Sequence, residues 1–164
     1  DEALQSFNTA FKVNPPLRSA EHVAALREGL RDGTIDAIAT DHSPHAFEEK
    51  DVEFRYAPSG FPGLETAIGV LMTTLYHSGF MSLQDILARM SVAPARILRL
   101  DAGDLQVGCQ ADITIMDPDL EWQVDSKNFW TKARHSPFEN GKLKGKAIAT
   151  IVAGKFVMRN GEVL

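Results

Sequence analysis

The segment Thr40-Asp41-His42-Ser43-Pro44-His45 places a carboxylate and two imidazoles within a few residues of one another. A carboxylate in such a setting can ligate a metal ion or move a proton. His45 follows Asp41 by four residues in what reads as an irregular loop, so the helical i, i+4 geometry does not apply. The plain alternative is that Asp41 caps the next turn and both histidines are solvated. A second candidate is Lys12-Val13-Asn14-Pro15-Pro16-Leu17-Arg18. Its adjacent prolines stiffen an extended backbone, on which Asn14 either presents its amide to a ligand or serves as an ordinary turn-former. The third is Ala57-Pro58-Ser59-Gly60-Phe61-Pro62-Gly63-Leu64-Glu65. Its glycines allow close backbone approach, and the helix that follows offers free N–H groups to an anion; it also fits a plain loop-to-helix junction. His22, His77 and His135 read as structural or solvated, and Cys109 has no evident base beside it.

The elements that must position these residues follow from pattern. Ser19 reads as an N-cap with Glu21 in the first turn, Val23, Leu26 and Leu30 share a face, and Gly33 stops the helix. Ile35–Thr40 is short and largely apolar, the pattern of a buried strand that delivers Asp41 at its end. In α/β barrels that is where active-site residues lie. Residues 42–62 show no steady period and carry a charged middle from Glu48 to Arg55, the mark of a functional or a disordered loop. Helical spacing returns at Leu64, Ile68, Leu71, Met72 and Leu75, ending at Gly79. Ser82 and Asp85 resemble a capping box before Leu83, Ile86, Leu87 and Met90, and Pro94 opens a short helix to Leu98. After Leu100 the texture turns β-rich. Ala111–Met116 alternates, Lys146–Val152 reads as a strand, and Gly154-Lys155 and Asn160-Gly161 read as hairpin turns. Trp122 and Trp130 are the expected anchors of the polar stretch between.

The 164 residues carry 17 Lys and Arg against 22 Asp and Glu, a formal net charge of −5, and 44% of them are hydrophobic. That composition excludes a disordered chain, and no apolar run is long enough for a transmembrane helix. With no basic patch, neither nucleic acid nor membrane is an expected partner. One cysteine rules out a disulfide framework within the chain and fits a cytoplasmic protein. The chain opens on Asp1 without a signal-peptide pattern, which suggests a piece that begins inside something larger.

The ordered set of motifs resembles the bacterial-type dihydroorotase family of the amidohydrolase superfamily, nearly end to end. Phe11–Arg18 is similar to that family's substrate-loop motif, and Asp36–His45 to its last barrel strand and loop. Gly60–Thr66 is similar to the segment after its active-site loop. Ser91–Arg96 and Gly108–Asp112 resemble broader superfamily signatures, and Ser136-Pro137-Phe138 with Gly141–Gly145 resembles the C-terminal segment.

The resemblance implies a metal-dependent (β/α)8 TIM barrel with a small β-sandwich domain. Residues 1–100 would be the C-terminal part of the barrel and 101–164 the C-terminal part of the small domain. It implies reversible hydrolysis of (S)-dihydroorotate to N-carbamoyl-L-aspartate, a step of pyrimidine biosynthesis. Asp41 matches the catalytic, metal-binding aspartate, a proton shuttle for attack by hydroxide on zinc. Asn14 and His45 match residues that hold the substrate, and Ser59 and Gly60 match loop positions whose backbone meets the ring. One or two zinc ions are implied, with the remaining ligands (the His-x-His pair, two later histidines, a bridging group) upstream of Asp1, as is the arginine that pairs with the substrate carboxylate. A zinc site generally needs at least three protein ligands, so this segment alone is expected to be inactive and to need the upstream part of the same enzyme. A homo-oligomer, and possible association with aspartate transcarbamoylase, belong to the same expectation. The alternatives are a non-catalytic homologue that scaffolds aspartate transcarbamoylase, or another cyclic amidohydrolase: dihydropyrimidinase, hydantoinase or allantoinase. A stand-alone α+β binding module is a further one.

Overall fold

The computed structural model describes residues 2–164. The chain is mixed α/β and divides into two compact units. One comprises residues 2–35, 40–67 and 123–142, the other residues 36–39, 68–122 and 143–164.

In the first unit, short 3₁₀ turns at Glu2–Ser6 and Thr9–Phe11 lead into helix α1, Ala20–Asp32. Gly33 ends α1 at φ 90°, a left-handed conformation that costs a residue without Cβ little. Ser19 occupies the N-cap position, but its hydroxyl bonds His22 Nδ1 at 2.6 Å rather than the helix backbone. Leu30 is buried, whereas Val23 and Leu26 of the same expected stripe are exposed, because no described residue covers that face. The loop expected over 42–62 contains one turn of helix, α2, Phe47–Lys50.

Helix α3, Leu64–Leu71, passes at the expected stripe into a wider π-type turn, Met72–Tyr76. In the second unit Met72 and Leu75 are buried from that turn, and Ile86 from α4, Leu83–Met90. Ser82 caps α4 through the Asp85 N–H, as its spacing predicts. Helix α5, Val92–Leu98, ends where Arg99 turns left-handed. Four strands follow: β1 Ile113–Gln123, β2 Lys142–Val152, β3 Lys155–Arg159 and β4 Glu162–Val163, in that order across one sheet. Pro118 is tolerated in β1 because β1 lies at the sheet edge. The β3–β4 turn is Asn160-Gly161, as expected, but the β2–β3 turn is Ala153-Gly154, one residue earlier than the sequence suggests. Val152 pairs with Lys155, which leaves 153 and 154 as the two positive-φ residues such a turn requires.

Two further expectations need correction. Ile35–Thr40 is extended but is not a strand: the Ile38 N–H bonds the Arg89 carbonyl, and no described strand runs beside it to form a ladder. Trp122 is an anchor, its indole N–H donating to the Gly145 carbonyl at 2.9 Å, but the Trp130 side chain is 72% exposed.

Gly145 joins β2 to the core of the second unit. Its φ is 93°, and a Cβ there would overlap the fully buried Met72 side chain. Gly145→Ala therefore combines backbone strain with overpacking. It should lower unfolding free energy by about 2–4 kcal/mol in chemical denaturation, whereas Gly154→Ala, with open space around it, should cost less.

Candidate active site

The first unit brings together most of what the motifs single out. Asp41 sits at φ 46°, a left-handed conformation that aspartate adopts more readily than most residues. Its neighbours hold it there. The Ser43 N–H donates to the Phe61 carbonyl at 3.0 Å. A Cβ at Gly63 would lie 2.7 Å from the Thr40 carbonyl oxygen, and one at Gly60, whose φ is 127°, 2.6 Å from Ser43 Oγ. The glycines of Gly60-Phe61-Pro62-Gly63 are thus what lets the 60–63 backbone lie against 40–43. His42 completes the join: its Nδ1 accepts from the N–H groups of Gly63 and Leu64, each at 3.2 Å. These are free donors at the start of α3, and they require the ring proton to sit on Nε2. Among the described residues no hydrogen bond or ion pair engages the Asp41 carboxylate.

The loop at Ser59 is fixed from three sides. His45 Nε2 donates to the Ser59 carbonyl at 3.0 Å, and the Gly60 N–H donates to the Lys12 carbonyl at 2.8 Å. Lys50 Nζ donates to the carbonyls of Pro58 and Gly60 at 2.9 and 3.0 Å. His45 Nδ1 lies 3.7 Å from Glu49 Oε2, which also accepts from the Ala46 N–H at the start of α2. His45 and Ser59 are therefore in direct contact, and Gly60 is tied to the residue two before Asn14. Asn14 itself is exposed and precedes a cis peptide to Pro15. Among the described residues its amide, the Ser59 N–H and the Ser59 hydroxyl have no partner.

Four residues outside the expected set complete the arrangement. Lys50 lies in the charged middle of the 42–62 loop, yet it is only 3% exposed. Burial holds its ammonium below the usual lysine range, and the nearby Lys12 amine adds to that. Glu65 accepts from the backbone N–H groups of Trp130 and Thr131 at 2.8 and 3.0 Å, which fixes the loop that carries His135. Arg134 adds a bond to the Phe129 carbonyl at 3.1 Å and a short one to that of Thr131. His42 and Glu65 stand within quoted motifs, but spacing does not reveal helix-capping and loop-tying roles. Both ring nitrogens of His135 are shielded from solvent, with no hydrogen-bond partner among the described residues. Burial first, then the neighbouring Lys50 and the His45 imidazole, keep the ring below the ordinary histidine value, and the Gly60 backbone opposes this weakly.

As for a metal, no group of three or more His, Cys, Asp or Glu side chains capable of holding one occurs among the described residues. The free Asp41 carboxylate fits a single ligand, not a complete site.

The α/β chain thus presents a free carboxylate, Asp41, on a segment packed against the 60–63 backbone. The chain belongs to the amidohydrolase family, whose sequence profile matches residues 10–157. Its curated relatives include the dihydroorotase of Pelotomaculum thermopropionicum, 52% identical over 160 residues, and that of Syntrophus aciditrophicus, 50% identical over 157. These alignments cover 98% and 96% of this chain but only 38% and 37% of the relatives' lengths. Among solved structures, the L-hydantoinase (dihydropyrimidinase) of Arthrobacter aurescens matches with a TM-score of 0.92 at 34% identity, over 99% of this chain and 37% of its own. The dihydropyrimidinase of Brevibacillus agri matches with 0.87 at 25%, over 95% and 35%.

The neutral His135 ring makes stability depend on pH. Its native pKa lies below the ordinary value near 6.5. Above that value both states are neutral and the ring adds no slope. As pH falls below it, the unfolded chain binds the proton first, so stability declines until the native ring also titrates. His135→Gln should flatten this decline in unfolding free energies measured between about pH 7 and 4.

Proposed function

We propose that this chain is the carboxy-terminal portion of a dihydroorotase, which interconverts (S)-dihydroorotate and N-carbamoyl-L-aspartate in the cytoplasm. What supports this above all is identity of about half, over nearly the whole chain, to curated dihydroorotases. The hydantoinase and dihydropyrimidinase structures favour a second reading, hydrolysis of another cyclic ureide, but the L-hydantoinase is only 34% identical. Residues 1–100 would complete the C-terminal side of a barrel, and 101–164 would contribute to a small β-sandwich domain. Both would join an upstream part of the same enzyme in a homo-oligomer, with aspartate transcarbamoylase a possible partner. The segment alone would be inactive.

In this reading Asp41 is one ligand of a zinc site whose other ligands lie outside the chain. A bound zinc ion would supply a nucleophile at neutral pH and polarise the ring carbonyl. The chain's own work is to move a proton and to hold the substrate. One Asp41 carboxylate oxygen takes the proton released as the ring carbonyl is attacked and delivers it to the departing ring nitrogen. The free Asn14 amide suits a substrate oxygen. His45 stands at the loop edge, with its Nε2 on the Ser59 carbonyl, and would lie near the substrate carboxylate. At the loop, the Ser59 carbonyl and the Gly60 N–H already have partners. That leaves the Ser59 N–H as the backbone donor available to the ring.

The test uses the full-length enzyme. It should turn over dihydroorotate in preference to dihydrouracil and hydantoin; the reverse preference would replace this reading with the second one. Asp41→Asn keeps a residue suited to the left-handed backbone and removes the proton carrier. It should lower kcat by about 10²–10⁴-fold with little change in melting temperature, and near-normal turnover would remove Asp41 from the role.

A further inference from the structure

We propose that Lys50 is a positioning residue for catalysis, whose buried ammonium aims the Ser59 N–H at a carbonyl or carboxylate oxygen of the substrate. This deepens the function proposed above and rests on it.

The argument begins with the Pro58–Ser59 peptide. Its carbonyl oxygen is Pro58 O, which accepts from Lys50 Nζ at 2.9 Å. Its N–H is that of Ser59, which has no acceptor among the described residues. This peptide is not among the cis bonds of the described residues, so it is trans and its N–H points opposite to its carbonyl. Because the carbonyl is directed at a buried amine, the N–H is directed away from it. Lys50 also takes the Gly60 carbonyl at 3.0 Å, so one ammonium fixes the Pro58–Ser59 and Gly60–Phe61 peptides, and His45 and the Lys12 carbonyl hold the Ser59–Gly60 peptide between them. A charged donor on the carbonyl also polarises the peptide and strengthens its N–H as a donor.

The lysine is itself held. Thr9 Oγ1 donates to its carbonyl at 2.6 Å, and its own N–H reaches the Ala46 carbonyl at 3.3 Å, which pins its backbone at the end of α2. No described carboxylate pairs with it. Its electrostatic neighbours include Lys12 and His135, both bases, and its ammonium is held by the backbone carbonyls of Pro58 and Gly60. That requirement explains why a lysine stands here: it offers three donors and no acceptor to a site made of acceptors. Glutamine would turn its own carbonyl toward them. The loop's other bonds, from His45 to Ser59 and from Gly60 to Lys12, leave the Pro58–Ser59 peptide free to turn if the amine is removed.

The test compares Lys50→Met, which keeps length and loses every donor, with Lys50→Arg, which keeps charge and donors, both in the full-length, metal-loaded enzyme. Lys50→Met should raise KM for dihydroorotate about tenfold or more while kcat changes by less than about threefold. Amide exchange should quicken in the peptide covering residues 58–61 and stay as in the wild type elsewhere. Lys50→Arg should recover much of both effects. Wild-type KM and loop exchange in Lys50→Met would overturn the proposal. So would loss of protection throughout the chain, the signature of a merely structural lysine. If the wild type prefers another cyclic ureide, the dihydroorotase reading fails; loop exchange, with KM for that ureide, then decides the role of Lys50.

Discussion

The Lys50 ammonium has left water without an acid to meet it, and much of the first unit is arranged around that fact. A buried charge is costly unless its donors are satisfied. Here the carbonyls of Pro58 and Gly60 satisfy two of them, and the loop they belong to cannot relax without leaving the charge exposed to an apolar interior. The same loop is held from the outside by His45 and Lys12. A single buried side chain thus converts a Pro- and Gly-rich segment, floppy by composition, into a fixed edge of the site. The positive environment it creates also accounts in part for the neutral His135 ring.

Beside this clamp runs a backbone-to-backbone join. The left-handed Asp41 is stable where it stands because the flanking residues are committed elsewhere. Ser43 bonds Phe61, His42 caps α3, and Gly60 and Gly63 admit the 40–43 segment at distances no side chain would permit. Strain of this kind persists only where surrounding structure over-determines it. Among the described residues the Asp41 carboxylate is left without a hydrogen bond or ion pair. Asn14 and the Ser59 N–H share that condition, so the groups free for a ligand sit within or beside a scaffold that is otherwise fully engaged.

Motif order made the family legible: an Asn before two prolines, an Asp at the end of an apolar run and a Gly-Phe-Pro-Gly junction follow one another in one chain. Local signals also worked where the interaction itself is local: the Ser82 cap, the Gly33 stop and the Asn160-Gly161 turn each depend on residues within a few positions. They failed where the outcome depends on a distant neighbour. Ile35–Thr40 has the composition of a strand but no described strand to pair with. Val23 and Leu26 have the spacing of a core stripe but nothing described to cover them.

Sequence by itself determined the helix and hairpin signals, which rest on residue type and short-range spacing, and through the order of its motifs the family resemblance, which singles out Asp41, Asn14, His45, Ser59 and Gly60 as candidates. Only the tertiary structure decided that Lys50, in the charged middle of a long loop, is buried under the Ser59 loop. It also decided that His42 caps a helix more than twenty positions on, that Glu65 ties down the 130–131 backbone, and that His135 lies shielded within range of Lys50 and His45. Each of these pairings joins parts of the chain whose approach is set by packing, and a desolvated amine, a capping imidazole or an unpartnered ring acquires its character only from what surrounds it there.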